Sequence, residues 1–395
     1  MLKKYFFIIF ITFLSIASAQ QNKLSSKAEI SVLTIGPGTS LNDAFGHNAF
    51  RIKDPSTNFD KTFDYGRFDF NAPNFYLNFA RGKLDYALGT SNFYDFLRFY
   101  THQNRSIKEQ VLNLSLDEKQ KLFNFLLNNY KPENRNYLYE FFFDNCATKI
   151  RDVSQIALNN NINFKPPEGF KNKKFRALIH GNLNRNSWGS FGIDLALGSV
   201  IDRKATAKEH MFLPKYIFNF FENATINNSG DQLVKQTHVL NKEKKNIKSH
   251  NFLTSPLMVL GIIGLIIIYI TYSDLKKNKQ TVWLDTTLFI ITGLIGIVIL
   301  LLWFATDHSG THNNYNLLWA FAPNILVIGQ LFKKTTKLWF IKYLKFLVIL
   351  LCLLTLHWLI GVQIYAIGLI PLLIALFLRY IFLIIYFSKR QKQEA

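Results

Sequence analysis

Apolar residues divide the chain near residue 254. Before that point charged, polar and aromatic positions mix as in a soluble domain; after it, apolar runs alternate with short polar breaks. Five runs, at 255–272, 283–306, 316–332, 346–360 and 364–387, each approach the ~20 apolar residues that cross a bilayer. They predict an all-α membrane domain over 255–388 and a tail at 389–395. The fourth run is short unless it begins nearer Leu338. At the other end, Lys3 and Lys4 precede "YFFIIFITFLSI" and then "ASA". A basic start, a short apolar core and a small-x-small site predict a signal peptide over 1–19. Cleaved or kept as an anchor, it delivers the next domain out of the cytoplasm.

Between these ends the periodicities alternate. "AEISVLTIGPG" reads as an edge strand ending at a turn, and "HNAFRIKD" and "KTFDYGRFDF" as two more strands. "PNFYLNFARG" and "NFYDFLRFYT" predict short aromatic helices, and "SIKEQVLNLS" another strand. "SLDEKQKLFNFLLNNYK" is a helix whose Ser115 and Glu118 form a capping box. "YLYEFFF" reads as a buried strand, and "CATKIRDVSQIALNN" as an amphipathic helix opened by Cys146. The fold class is therefore an α+β extracytoplasmic domain over 20–221, joined by a polar linker at 222–254 to the membrane domain.

Charge fixes the orientation. "SDLKKNK", residues 333–345 and "SKRQK" are basic, whereas "TDHSGTHNNY" and "GVQ" carry no Lys or Arg. Basic loops stay in the cytoplasm, so residues 307–315 and 361–363 lie outside with the N-terminal domain. The net charge of +20 suits a bilayer with anionic headgroups; nucleic acid does not suit an exported, membrane-tethered domain.

Candidate chemistry centres on Cys146. The only other cysteine, Cys352, lies in a predicted span, which excludes an intramolecular disulfide. Free cysteine is often a small core residue. A thiol in the first turn of a helix, however, meets unpaired N–H groups that favour the thiolate. Such a nucleophile needs a base. Of the outer histidines, His102 and His180 lie near element edges, His210 in "KEHMFLP", and His238 and His250 in the polar linker. His47, in "AFGHNAF", starts a strand and can point from a sheet into a cleft. Asp64, Tyr65 or Asn48 can orient its ring, and the residue pattern leaves all three open. Histidine first and cysteine later, in an "NC" context at a helix start, is the order of permuted papain-like enzymes, including the lecithin–retinol acyltransferase-like group.

Taken together, "FGHNAFRI", "FDYGRFDF", "DNCATKIRD", "FGIDLALGSVIDRKATAKEHMFLP" and "HSGTHNNYNLLWAFAPN" resemble the Lnb-type proteins of Bacteroidota. The resemblance runs from about residue 28 to 385; Lys149 stands where the family more often has Arg. It implies a multi-pass inner-membrane protein with a periplasmic domain. It also implies lipoprotein N-acyltransfer, from a phospholipid donor to the α-amine of a lipoprotein's diacylglyceryl-cysteine. His47 and Cys146 match the family's motifs and take the roles of base and nucleophile. His308, His312, Asn316 and Trp319 fall in its outer-loop motif, with no role assigned.

The residues suit that chemistry. A thiolate attacks an ester to form a thioester, which an amine then opens. Oxyanion donors are sought at the start of the Cys146 helix, around Asn145, Ala147 and Arg151. Phe142 and Phe143 can line an acyl groove, with ordinary core packing the favoured role for any single one of them. No cofactor is called for. His308 and His312, four apart and near Asp307, lack a metal motif such as HExxH, and no metal is assigned. Two other readings stand beside the transferase: a periplasmic Cys–His peptidase or amidase acting on wall or peptides, and a non-catalytic membrane assembly factor.

Overall fold

The structure, a computed structural model, describes residues 23–244, 251–333 and 335–394, with Glu394 described by its backbone alone. The expected signal peptide and His250 lie outside the described residues. In the first domain the strands are β1 (Glu29–Ile35), β2 (His47–Asp54), β3 (Phe59–Arg67), β4 (Asp85–Asn92), β5 (Ile107–Leu112), β6 (Asn136–Leu138), β7 (Ile162–Asn163), β8 (Thr225–Ile226) and β9 (Val234–Asn241). Seven of them form one sheet in the order β6-β4-β3-β2-β1-β5-β9, and β7 pairs with β8. The helices are α1 (Phe75–Arg81), α2 (Phe93–His102), α3 (Leu116–Asn129), α4 (Cys146–Ala157), α5 (Phe175–His180), α6 (Trp188–Ala196), α7 (Ala207–His210) and α8 (Pro214–Glu222).

Strand alternation supplies two buried faces. Leu33, Ile35 and Ala49 pack against Phe93 and Phe96 of α2. Val32, Phe50 and Phe63 pack on the other face against Leu122 of α3, Ile150 of α4 and Phe220 of α8. The expected capping box of Ser115 and Glu118 opens α3.

Three sequence expectations change. β1 is central rather than an edge, paired with both β2 and β5; with both faces covered, every residue after Glu29 is buried. Residues 234–241, expected in the linker, form the edge strand β9 on β5. An exposed edge strand is held by backbone hydrogen bonds, so its polar sequence resembles a linker. "YLYEFFF" yields only the short β6; Glu140 and Asp144 then pair across a turn holding the three phenylalanines. The Glu140 carboxylate accepts from the Phe142 and Phe143 amides at 2.8 and 2.6 Å, which fixes that turn.

The membrane domain has α9 (Pro256–Lys277), α10 (Val282–Phe304), α11 (Asn324–Val327), α12 (Leu338–Leu359) and α13 (Ile370–Glu394). Among the described residues four helices are long and apolar enough to span, and the fourth expected run does begin at Leu338. The third run, 316–332, is not one helix. It is two 3-10 turns, Tyr315–Leu318 and Ile328–Phe332, flanking α11. Pro323 lacks the N–H that a continuous helix would use. Non-helical backbone at membrane depth survives only where protein buries it. Here Asn324 donates to Thr292 at 2.8 Å and accepts from the Tyr343 hydroxyl at 2.5 Å. Gly296 of α10 leaves room for the backbone of Ala320 and Ala322 to lie against that helix.

Candidate active site

Three chain segments meet at one end of the sheet. β2 begins at His47, opposite Ile35 at the end of β1. Asp64 lies on β3, which is irregular between Asp64 and Arg67. Cys146 opens α4. The N-cap Asn145 holds that helix start: its side-chain oxygen accepts from the Ala147 and Thr148 amides at 2.8 and 2.9 Å. Its NH2 donates to the carbonyls of Phe141 and Phe212 at 2.7 and 2.8 Å.

His47 Nε2 lies 3.3 Å from Asp64 Oδ2. Arg67 reaches the same carboxylate, with Nε 3.0 Å from Oδ1. Burial alone would lower the His47 pKa, but Tyr100, Cys146 and Asp64 outweigh it and hold the ring well above its ordinary value. Cys146 is one of the neighbours that contribute to that rise. Burial alone would raise Asp64, yet His47 and Arg67 hold it below the usual carboxylate range. With Nε2 directed at Asp64, Nδ1 is the ring nitrogen left for Cys146. Geometry thus separates three residues the sequence left equivalent. The Tyr65 hydroxyl donates to Asn129 at 2.5 Å, and the Asn48 amide donates to the Leu33 carbonyl and the Thr34 hydroxyl.

Cys146 is free and partly exposed. Beside it is Gly66, whose φ of +94° suits glycine. A methyl at Gly66 would lie 3.5 Å from Cys146 Cβ, and 4.0 Å from both the Tyr137 hydroxyl and the Tyr139 ring edge. The missing side chain leaves a small space beside the thiol. The Tyr137 hydroxyl is buried with no hydrogen-bond partner among the described residues. Burial, chiefly, pushes its pKa up and keeps it a proton donor. The Cys146 N–H likewise meets no acceptor among those residues.

The expected oxyanion donors need correction. The Ala147 amide is already given to Asn145, whose own NH2 is fully used. Arg151 turns to Asp152 and the Lys208 carbonyl. Phe142 is buried in a core with Phe175 and Phe212, so it lines no groove; Phe143 is exposed. His210 is a core residue, accepting from the Lys173 amide and bonded to the Thr206 carbonyl. Sequence reasoning missed Tyr137 and Arg105. Arg105 is buried, gives Nε to the Gly36 carbonyl at 2.8 Å and leaves Nη2 without a partner among the described residues. Neither residue lies in a periodic pattern or motif that marks it.

The outer-loop residues form a joint between the domains. Asn316 donates to the Asp194 and Leu195 carbonyls at 3.0 and 3.2 Å, and accepts from Trp319 at 3.0 Å. Asn314 donates to Leu195 and Ala196. On the first-domain side of the joint, buried Arg176 ties Asp194 to Asp202. A side chain at Gly198 would collide with the His312 carbonyl. His308 packs on Phe79, bonding its carbonyl at 3.0 Å; His312 is exposed. Lys174 reaches the Gly361 carbonyl at 3.0 Å. Both loops expected outside therefore touch the first domain, as the loop charges require.

No curated protein and no solved structure matches the chain. Residues 17–180 match the Lnb N-terminal periplasmic domain, and residues 247–391 match the Lnb transmembrane domain. The matches take the two halves of the molecule in order, in agreement with an α+β domain on one side of a helical membrane domain. The chain belongs to the Lnb family: an inner-membrane protein associated with lipoprotein maturation, with its N-terminal domain in the periplasm.

Proposed function

We propose that the protein is a lipoprotein N-acyltransferase in which Cys146, His47 and Asp64 act as nucleophile, base and orienting carboxylate. The observation that carries this is their meeting beside the open space at Gly66, in a chain of the Lnb family. His47 Nδ1 takes the thiol proton, and Sγ attacks the ester carbonyl of a phospholipid. The Cys146 N–H and the Tyr137 hydroxyl are the donors for the tetrahedral oxyanion. Collapse breaks the ester C–O bond; the imidazolium gives its proton to the departing lysophospholipid alkoxide and leaves an acyl thioester. The α-amine of a diacylglyceryl-cysteine then attacks the thioester carbonyl. His47 takes the amine's proton as nitrogen is acylated, and returns one to the departing thiolate.

The proposed donor and acceptor are both anchored in the bilayer, which gives the membrane domain a direct purpose. A peptidase or amidase using the same dyad would have no such need for four spanning helices. The test is mass spectrometry of lipoprotein N-termini in cells whose only copy is Cys146→Ala. Free α-amines are expected; full acylation would overturn the proposal.

A further inference from the structure

An exposed aromatic surface connects the candidate site to the membrane domain. Phe70, Tyr76 and Phe79 are 58%, 78% and 54% exposed. A contiguous apolar patch of this kind marks an interaction surface, and its surroundings say with what. α10 ends at Phe304, and within a few residues the Asp307 amide donates to the Arg81 carbonyl at 2.9 Å. His308 Nε2 meets the Phe79 carbonyl at 3.0 Å. The short helix α1 is thus fastened to the outer end of a spanning helix, at the level of the bilayer surface. Arg81 and Lys83, both exposed, lie at its C-terminal end, with Lys83 3.5 Å from Asp307. Aromatic rings beside basic side chains form the usual interfacial composition.

The same rings lead back to the thiol. Phe79 stacks at 6.4 Å on Phe75, which lies 5.8 Å from Phe68. Phe68 meets Tyr86 at 5.1 Å, and Tyr86 stacks on Tyr139 at 4.2 Å. Tyr139 borders the space at Gly66 beside Cys146. Phe75 is buried beneath this run, and exposed Phe70, 5.0 Å from Phe75 and 4.8 Å from Phe68, carries the accessible apolar surface over it; the polar edges are tyrosines at the thiol end.

We infer that this surface receives a fatty acyl chain of an outer-leaflet phospholipid and guides it from the bilayer to Cys146. The inference rests on the acyl-transfer reading for the chain's destination, but not for the lipid contact itself. Hydrocarbon fits a run of rings without a deep pocket, and the fastening to α10 leaves no aqueous gap to cross.

The test uses the full chain in phosphatidylethanolamine–phosphatidylglycerol vesicles, with Tyr76→Ser/Phe79→Ser as the variant; both side chains are exposed, so the fold is retained. Cys146 acylation by vesicle lipid should fall at least about tenfold, while acylation by soluble p-nitrophenyl butyrate is unchanged. An unchanged vesicle rate, an equal fall with both donors, or a defect confined to the lipopeptide acceptor would overturn the inference. A second arm separates it from the catalytic reading. In Cys146→Ala, a phospholipid with a photoactivatable acyl chain should label residues 68–79, and the serine changes should abolish that label. Labelling without any acylation of the unaltered protein would sustain the lipid surface and sink the transferase; absence of labelling would sink the surface.

Discussion

Gly66 stands beside Cys146 with its own side-chain position vacant: a methyl there would lie 3.5 Å from the cysteine Cβ. β3 is irregular between Asp64 and Arg67, and Gly66 adopts a φ of +94° within it. Gly66 thus sits in the irregular stretch of β3 that follows Asp64 and leaves a side-chain position vacant beside the cysteine.

Gly66→Ala should act twice. A side chain at positive φ strains the backbone by about 1–3 kcal/mol, which lowers the unfolding midpoint, and the added methyl narrows the space by the thiol. Iodoacetamide should alkylate Cys146 more slowly in the folded variant. An unaltered alkylation rate would mean that the thiol opens elsewhere.

Asp64 contributes to the raised pKa of His47. Asp64→Asn should therefore move the His47 titration, followed by NMR of labelled histidine, to lower pH. Loss of the oriented base should slow acylation by about 10²- to 10⁴-fold. Replacing Tyr65 should leave the titration nearly in place, because its hydroxyl is spent on Asn129.

The same shift carries a stability signature. His47 binds its proton more tightly folded than unfolded, so its contribution is complete below the unfolded value of about 6.5 and is lost as pH rises through the folded value. The gap in unfolding midpoint between the unaltered protein and His47→Gln should thus be wider at pH 6 than at pH 9. Asp64, held low, behaves oppositely: its contribution is lost only as pH falls through its depressed value.

Tyr137→Phe removes a buried hydroxyl that has no other partner among the described residues. Stability should change little, whereas kcat should drop by about 10²-fold if the hydroxyl meets the oxyanion, with KM nearly constant. A normal kcat would remove Tyr137 from the reaction.

Asn316→Ala strips two carbonyls and the Trp319 indole of their partner. About 1–3 kcal/mol should be lost from the joint. Limited proteolysis should then release the periplasmic domain sooner, while Cys146 within that domain keeps its alkylation rate.

Local signals in the sequence were readable where one segment decides its own structure. The Ser115 capping box, the helix opening at Cys146 and the spans near both ends of the membrane domain are of this kind. Features decided by contacts distant in the chain were not. β9 is polar because it is an edge, and β1 resembles an edge although α2 and β5 cover it. The segment 315–332 reads as one continuous helix because its composition is apolar; the burial of its broken backbone against Gly296 and Thr292 comes from another helix. At the candidate site, motif and order single out Cys146 and His47, whose elements the fold brings to one end of the sheet. The choice of Asp64 over Tyr65 and Asn48 needed the register of β2 on β3. Tyr137 and Arg105 stand out only through one buried polar atom each, the hydroxyl and Nη2, that has no hydrogen-bond partner among the described residues, which no sequence pattern encodes.

Ser309, in the loop after α10, donates to Glu140 Oε1 at 2.6 Å, and the other oxygen of Glu140 fixes the turn leading to Cys146. The turn that leads to the thiol is therefore tied directly to the loop at the outer end of a spanning helix. On the acyl-transfer reading, both substrates must arrive by sliding in the plane of the membrane. On that same reading, an amine held in the membrane plane would reach the thiol more readily than an amine of a passing soluble protein.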